Sequence, residues 1–228
     1  MEFDLFLWPM LIPMIIPIIY CIKFKRTSLV ETGVLLLAMV LIVVLYWPLL
    51  TTNLAFAYTY LVVKFLLFVF LPLFLIVAVK RKPSQHFGEL FGVTKQGLKK
   101  SLFWFILLLP IMIVVTGLIH YVYGVGWGAD LIAGAISFFE AFTEEFFYRG
   151  LLFVYLLKIT DRKIAYVTSF LSFILMHPQN LSTLFIVGTI VQGIITLEIA
   201  RRSYNIIGSW MVHGSNRFFE LVLLPLFL

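Results

Sequence analysis

The sequence predicts an all-α membrane protein, a polytopic bundle of about eight transmembrane helices. Of its 228 residues, 62% are hydrophobic and 12% are charged, and the mean hydropathy is +1.07. A typical soluble domain carries about twice that share of charged residues, whereas long apolar stretches with few charges are typical of membrane spans. The chain has no internal repeat and no low-complexity tract, so we expect a single integral membrane domain over residues 1–228.

Eight apolar stretches are predicted to be spans. In chain order they are Phe3–Ile22, Leu29–Trp47, Tyr58–Val79, Ser101–Tyr123, Leu131–Leu157, Ile164–His177, Leu181–Ala200 and Asn205–Leu228. Three prolines, four residues apart at positions 9, 13 and 17, should bend the first span. The first four spans form a set of N-terminal helices within residues 1–123, and residues 131–228 form a core that carries the motifs described below.

The basic residues give the topology. Of the 17 Lys and Arg residues, all but Lys64, Arg149 and Arg217 fall in four clusters, which follow the first, third, fifth and seventh spans. The alternate connections contain no Lys or Arg: residues 48–57, 124–130 and 178–180. Basic connections favour the cytoplasmic side, so we expect a multi-pass plasma-membrane protein with both termini outside. This clustering argues against nucleic-acid binding despite the net charge of +6.

The longest polar connection runs from Lys80 to Lys100 and contains a few apolar residues among glycines and polar side chains. These apolar residues are Phe87, Leu90, Phe91 and Val93. The pattern fits a short segment on the membrane surface and fits a solvated loop equally well.

The fifth span carries an unusual set of charges: Glu140, Glu144, Glu145 and Arg149. Each ionisable group at bilayer depth costs at least ~2.5–3.5 kcal/mol, so such groups usually face a polar interior and mark function. Glu145 and Arg149 are four residues apart, with the acid first, which predicts a structural ion pair. Glu144 lies about 100° further round the helix and remains for other work. Glu140 has no obvious partner and is predicted to be protonated.

Two histidines are predicted to lie at the depth of Glu144, which is near the middle of its span. His177 is 14 residues from Lys163 and His213 is 11 residues from Arg202, which places both about 16–21 Å from the cytoplasmic edge at ~1.5 Å of rise per residue. The sequence therefore predicts a shared site formed by one carboxylate and two imidazoles. The other two histidines are predicted to lie at the membrane interface: His86 and His120.

These residues resemble the three motifs of the CPBP family, also called Abi. The motifs are Glu144-Glu145-x-x-x-Arg149, Phe173-x-x-x-His177, and His213 with Asn216. The family includes the type II CAAX prenyl proteases and bacterial proteins linked to bacteriocin immunity. The resemblance covers roughly Ile132 to Phe219, and the first four spans match only as generic hydrophobic helices.

The resemblance implies an intramembrane glutamic peptidase that works without metal or another cofactor. By analogy with the family, Glu144 would be the general base that activates a water and His177 would hold that water. His213 and Asn216 would stabilise the oxyanion, and Glu145 with Arg149 would be a supporting pair. The implied partners are a peptide or membrane-protein substrate and the lipid bilayer.

The third motif departs from the family pattern. Asn usually follows the last His by four residues, but here Asn216 follows by three and position four is Arg217. Arg217 could donate to the oxyanion, or it could pair with Glu220 three residues later. We favour the pairing with Glu220.

Two other functions compete with the peptidase. A non-catalytic membrane scaffold or self-immunity protein could keep the fold and bind partners. A metallopeptidase is conceivable, because two His and a carboxylate can form a facial triad. The sequence has no H-E-x-x-H helix, and its single cysteine, Cys21, excludes a multi-thiolate metal site and an intramolecular disulfide.

Overall fold

The structure, a computed structural model, describes residues 7–51, 56–80, 87–124 and 126–227, and the regular structure within these ranges is helical throughout. Ten α-helical segments are found there. They are α1 Ile15–Phe24, α2 Leu29–Leu50, α3 Phe56–Phe65, α4 Leu71–Lys80, α5 Leu98–Tyr123, α6 Leu131–Glu145, α7 Leu156–Ile159, α8 Arg162–Leu175, α9 Phe185–Ser203 and α10 Ile207–Phe218. The predicted all-α fold is confirmed.

Short non-α segments join several of these helices into longer rods. A 3-10 helix, Trp8–Met14, leads into α1, and π-helical segments join α3 to α4 at Leu66–Phe70 and α6 to α7 at Phe146–Tyr155. After α10 the chain continues through a π-helical turn, Phe219–Leu223, and a 3-10 turn, Leu224–Leu226. The described part of the chain therefore contains eight rods that match the eight predicted spans in order.

Prolines account for some of these irregularities. Pro13 lies inside the 3-10 helix before α1, in the span that was predicted to bend. Pro72 follows the π segment between α3 and α4. Proline donates no backbone hydrogen bond, so the carbonyl one turn earlier loses its partner and the helix deforms there.

Three rods are long and apolar enough to cross a membrane: Arg26–Leu50, Thr59–Val79 and Leu98–Tyr123. The outer surface of α5 shows why. Phe103, Ile106, Ile111, Val114 and Leu118 are all more than half exposed. A continuous apolar outer face of this kind is stable against lipid rather than water, so the helices are compatible with residence in a membrane.

The described parts of the four basic connections lie at one end of the bundle, which we call the basic end. Lys25 after α1 donates to the Thr160 carbonyl after α7, at 2.8 Å. Lys158 donates to the Glu89 carbonyl in the α4–α5 connection, at 3.0 Å. The alternating up-and-down order predicted from the basic clusters is therefore present in the fold.

The other connections meet at the opposite end. The Tyr123 hydroxyl at the end of α5 accepts from the Leu184 amide before α9, at 3.2 Å. The Asp130 amide before α6 donates to the Leu221 carbonyl after α10, at 3.1 Å. We call this the open end, because the cavity described below is lined by residues near it.

Within the described part of the long polar connection, residues 87–100, some residues pack into the bundle, which neither prediction for this connection foresaw. Phe91 is only 1% exposed, and its ring centre lies 5.7 Å from that of Phe146 and 5.5 Å from that of Tyr155. Asn205 ties down the same connection by donating to the Thr94 carbonyl at 2.6 Å. Apolar residues in a polar loop can bury themselves in the bundle, which the sequence pattern alone does not reveal. His86, predicted at the interface, lies outside the described residues.

Helix α10 packs closely on α6 because both helices present glycine at their contact. A Cβ atom at Gly214 would lie 2.8 Å from the carbonyl oxygen and a ring carbon of Phe138. A Cβ atom at Gly134 would overlap the Val222 side chain. The two helices approach through backbone contact here, as membrane helices do at small residues, and this approach brings His213 next to the end of α6.

Candidate active site

Three helices deliver the predicted site residues to one place. Glu144 is the penultimate residue of α6, His213 lies in the middle of α10, and His177 lies two residues beyond the end of α8. The Glu144 Oε2 atom is 4.0 Å from Nε2 of His177 and 4.0 Å from Nε2 of His213. Glu144 and His213 are buried, and the His177 side chain is 22% exposed. The structure therefore brings together the carboxylate and the two imidazoles.

The second glutamate of the motif orients one of these imidazoles. Glu145 Oε1 accepts from His213 Nδ1 at 2.9 Å, and Glu145 Oε2 lies 3.2 Å from Arg149 Nε. With Nδ1–H directed to a carboxylate, the Nε2 atom of a neutral His213 is left free to accept. The predicted ion pair of Glu145 and Arg149 is present, and it also fixes the ring that faces Glu144.

Arg149 is fully buried and is held from several sides. Its guanidinium donates to the Thr196 hydroxyl from Nε at 2.9 Å and from Nη2 at 2.6 Å, and to the Ser169 hydroxyl at 3.4 Å. Its Cζ atom lies 4.4 Å above the Phe173 ring. A buried charge that is paired, hydrogen-bonded and stacked fixes the helices around it.

Phe173 also explains the spacing of the second motif. Phe173 lies four residues before His177, and the Phe173 backbone carbonyl accepts a hydrogen bond from His177 Nδ1 at 3.0 Å. The ring of Phe173 lies 5.2 Å from the ring of His177. One residue therefore sets the tautomer of His177 through its carbonyl and supports Arg149 through its ring.

Asn216 and Arg217 have different surroundings. The Thr116 hydroxyl donates to Asn216 Oδ1 at 2.8 Å, which leaves the Asn216 amide NH2 with a 3.5 Å contact to Gln192 Oε1. Arg217 Nη1 donates to Glu220 Oε2 at 2.6 Å. The expected pairing of Arg217 with Glu220 is confirmed, and the Asn216 amide is presented to the site as a hydrogen-bond donor.

Lys64 is a site residue that the sequence reasoning missed. Its ammonium group forms an ion pair with Glu144 Oε1 and lies 2.6 Å from Glu140 Oε1. The prediction that Glu140 lacks a partner was therefore wrong. The available signal was a lysine alone near the middle of the third span, but spacing along the chain does not show which helix faces α6.

His120, which is predicted to lie at the membrane interface, is in the last turn of α5 and is buried in the bundle, at 2% exposure. Its Nε2 atom lies 3.2 Å from Glu220 Oε1, and its ring meets the Trp127 ring edge-on at 5.4 Å. The carboxylate of Glu220 links it to Arg217.

Two cavities meet at Glu144. The first, of about 410 Å3, extends toward the open end and has a polar lining that includes His120, Asn180, Gln192, Asn216 and Glu220. The second, of about 390 Å3, lies between the N-terminal helices and the core, and its lining includes Leu7, Tyr46, Trp47, Lys64 and Met176. Four residues line both cavities: Tyr60, Glu144, His177 and Gln179. The carboxylate thus faces a polar chamber on one side and a largely apolar one on the other.

The described residues contain no group of three or more His, Cys, Asp or Glu side chains arranged to hold a metal ion. Two ligands of a tetrahedral zinc ion, each about 2.1 Å from it, lie about 3.4 Å from one another, whereas Glu144 Oε2 is 4.0 Å from Nε2 of His177 and 4.0 Å from Nε2 of His213. The Lys64 ammonium against Glu144 already supplies a cation at this carboxylate. The side chains as placed fit a metal poorly.

Comparison with known proteins gives one match. Residues 127–219 match the family described as type II CAAX prenyl endopeptidase Rce1-like. No curated protein and no solved structure matches the chain. The matched segment contains the site residues Glu144, Glu145, Arg149, His177, His213 and Asn216. Lys64 lies outside it. The C-terminal part of this chain, residues 127–219, is therefore similar to the Rce1-like proteins of the CPBP, or Abi, family.

Proposed function

We propose that the protein is an intramembrane endopeptidase that uses Glu144 as a metal-independent general base. The family match suggests CAAX-type endopeptidase activity at a membrane. The observation that carries the glutamic mechanism is the position of Glu144 Oε2, which lies 4.0 Å from the Nε2 atoms of both His177 and His213. Each distance is too long for a direct hydrogen bond and is one that a bridging water can span.

The chemistry is the addition of that water to a peptide carbonyl. Glu144 takes a proton from the water while the oxygen attacks the carbonyl carbon, and His177 Nε2 holds the water in line. The carbonyl oxygen becomes an oxyanion, which accepts hydrogen bonds from the Asn216 amide and from His213 when that ring carries a second proton. Glu144 then returns the proton to the leaving nitrogen as the C–N bond breaks, which restores the carboxylate.

The two cavities favour a substrate with an apolar residue next to the cleaved bond. A peptide lying across Glu144 would place one flank in the polar chamber and the other in the apolar chamber lined by Tyr46, Trp47 and Met176. Apolar area buried there stabilises binding by ~25 cal/mol per Å2. We therefore propose a hydrophobic peptide or a membrane-protein segment as the substrate class.

The deciding experiment compares cleavage of a hydrophobic peptide library by the purified protein and by its Glu144→Gln variant, each with and without a chelator. We expect the variant to lose at least ~10²-fold in rate, as expected for removal of a general base, and the chelator to have no effect. Glu198→Gln is the control, because Glu198 pairs with Arg201 and Arg202 at the basic end, away from both cavities. Cleavage by Glu144→Gln at the wild-type rate would refute the glutamic mechanism, and loss of activity in chelator, restored by zinc, would favour a metallopeptidase.

One observation favours a second candidate, a non-catalytic scaffold or self-immunity protein. The charged groups around Glu144 pair with one another: Lys64 with two glutamates, and Arg149 with a third. Such a set can serve to hold helices together. Partner binding or immunity that survives Glu144→Gln unchanged, with no peptide cleaved by the wild type, would support this function.

A further inference from the structure

We propose that Lys64, contributed by the N-terminal half of the chain, is the positioning residue for the Glu144 carboxylate. Its ammonium group holds Glu144 Oε1 and so keeps Oε2 directed at the two histidines. This inference rests on the proposed peptidase function. It assigns a part in the site to a residue outside the segment that matches the family.

The placement of Lys64 is tightly constrained. It lies at the end of α3, is 1% exposed, and reaches between Glu140 and Glu144, which are one turn apart on α6. Its Nζ atom also lies 5.2 Å from the ring centre of Tyr60 and 5.1 Å from that of Phe68. A buried ammonium with two carboxylates and two aromatic faces around it has little freedom to leave.

The two oxygens of Glu144 have different partners. Oε1 is bound by Lys64, whereas Oε2 is buried and makes no hydrogen bond to another described residue. A carboxylate anchored at one oxygen cannot rotate about its last bond without losing the ion pair. The ion pair with Lys64 therefore determines which Glu144 oxygen contacts the water. Oε2, which has no ion-pair partner of this kind, is left to accept the proton.

Glu140 offsets the effect of the Lys64 charge on the Glu144 carboxylate. When both glutamates are ionised, the one lysine between them leaves a net charge of −1 on the three side chains, the same as on a single free carboxylate. Glu144 can thus be ion-paired and still retain the negative charge that attracts a proton. Without Glu140, Lys64 and Glu144 would form a neutral pair.

The alternative is a purely electrostatic role, in which Lys64 only neutralises the buried charge of Glu140. The two roles differ in the double variant. If Lys64 only neutralises Glu140, then Lys64→Met combined with Glu140→Gln removes both charges and restores activity. If Lys64 positions Glu144, the double variant stays impaired because Oε1 still lacks its anchor.

The first measurement is steady-state cleavage of the best library peptide by the full chain and by the Lys64→Met, Lys64→Arg, Glu140→Gln and double variants. We expect Lys64→Met and the double variant to lose about 10²-fold in kcat, the scale of a reacting group displaced by ~1 Å, with KM little changed. Lys64→Arg should recover part of kcat, because it keeps the cation. Wild-type kcat in the double variant, or a rise in kcat for Lys64→Met, overturns the proposal.

A second measurement does not depend on activity. Dicyclohexylcarbodiimide modifies protonated carboxyl groups in apolar surroundings, and mass spectrometry of the peptide that contains Glu144 reports the extent. We expect little labelling of Glu144 in the wild type and at least about tenfold more in the double variant, where the cation is gone. Glu145, paired with Arg149, is the internal control and should stay unlabelled in both. Equal labelling of Glu144 in the two proteins contradicts the proposal, and this holds even if no peptide is cleaved and the peptidase function itself fails.

Discussion

At the scale of single residues, the site contains two glutamates that are neighbours in sequence and have separate partners. Glu144 faces Lys64 and the two Nε2 atoms, whereas Glu145 faces Arg149 and His213 Nδ1. The helix directs adjacent side chains about 100° apart, so each carboxylate reaches a different neighbouring helix. One carboxylate thereby faces the two Nε2 atoms while the other holds the His213 ring.

The shifted third motif gives a prediction about which residue stabilises the oxyanion. Asn216→Ala should lower kcat by about 10²–10³-fold, the usual cost of removing one oxyanion donor. Arg217→Gln should change kcat by less than about fivefold, because a partly exposed ion pair is worth at most ~1 kcal/mol. Steady-state kinetics of both variants on the same peptide test this. The reverse pattern would assign the oxyanion to Arg217.

Much of this residue-scale arrangement could be predicted from the sequence, because Glu144, His177 and His213 lie at matched distances from basic clusters. The partner of Glu140 could not. Lys64 and Glu140 are 76 positions apart, and no periodicity within either helix indicates that α3 packs on α6. The pairing of His120 with Glu220 could not be predicted for the same reason, since Glu220 lies 100 positions later.

At the scale of helices, the site depends on how closely α10 approaches α6. Gly214 directly follows His213 and presses against the backbone of Phe138. Directly after Glu145 the helix widens into the π segment Phe146–Tyr155, a feature found frequently at functional sites. The apolar sequence predicted the fifth span but not the π segment within it. A π segment depends on the packing around the helix rather than on local apolar periodicity.

Gly214→Ala should therefore separate the two helices and move His213 away from Glu144. A Cβ atom 2.8 Å from a backbone oxygen requires a shift of the helix, and overpacking of this kind typically costs ~1–3 kcal/mol. We expect a lower melting temperature in detergent and a lower kcat. Gly117→Ala in α5 is the matched control, because a Cβ atom there has no neighbour within 4 Å. A melting temperature for Gly214→Ala equal to that of the control would show that α10 can shift freely.

At the scale of the whole molecule, the two ends of the bundle differ in charge and in access to the site. The basic end holds the four clusters of Lys and Arg, which are tied together by contacts such as Lys25 with Thr160 and Lys158 with Glu89. The polar cavity lies toward the other end, where Gln179 and Asn180 connect α8 to α9. The alternation of spans was correctly predicted because it follows from charge alone, whereas the position of the cavity required the packed structure.

This asymmetry predicts that substrate reaches Glu144 from outside the cell. If basic connections stay in the cytoplasm, Gln179, an exposed residue that lines both cavities, faces the exterior. In a Cys21→Ser background, a membrane-impermeant maleimide added to intact cells should label Gln179→Cys, and labelling should lower peptide cleavage by blocking the shared wall of the cavities. Thr27→Cys, exposed in the first basic connection, should be labelled only after the cells are permeabilised. Labelling of Thr27→Cys but not Gln179→Cys in intact cells would show that the protein has the opposite orientation in the membrane. Substrate would then enter from the cytoplasmic side.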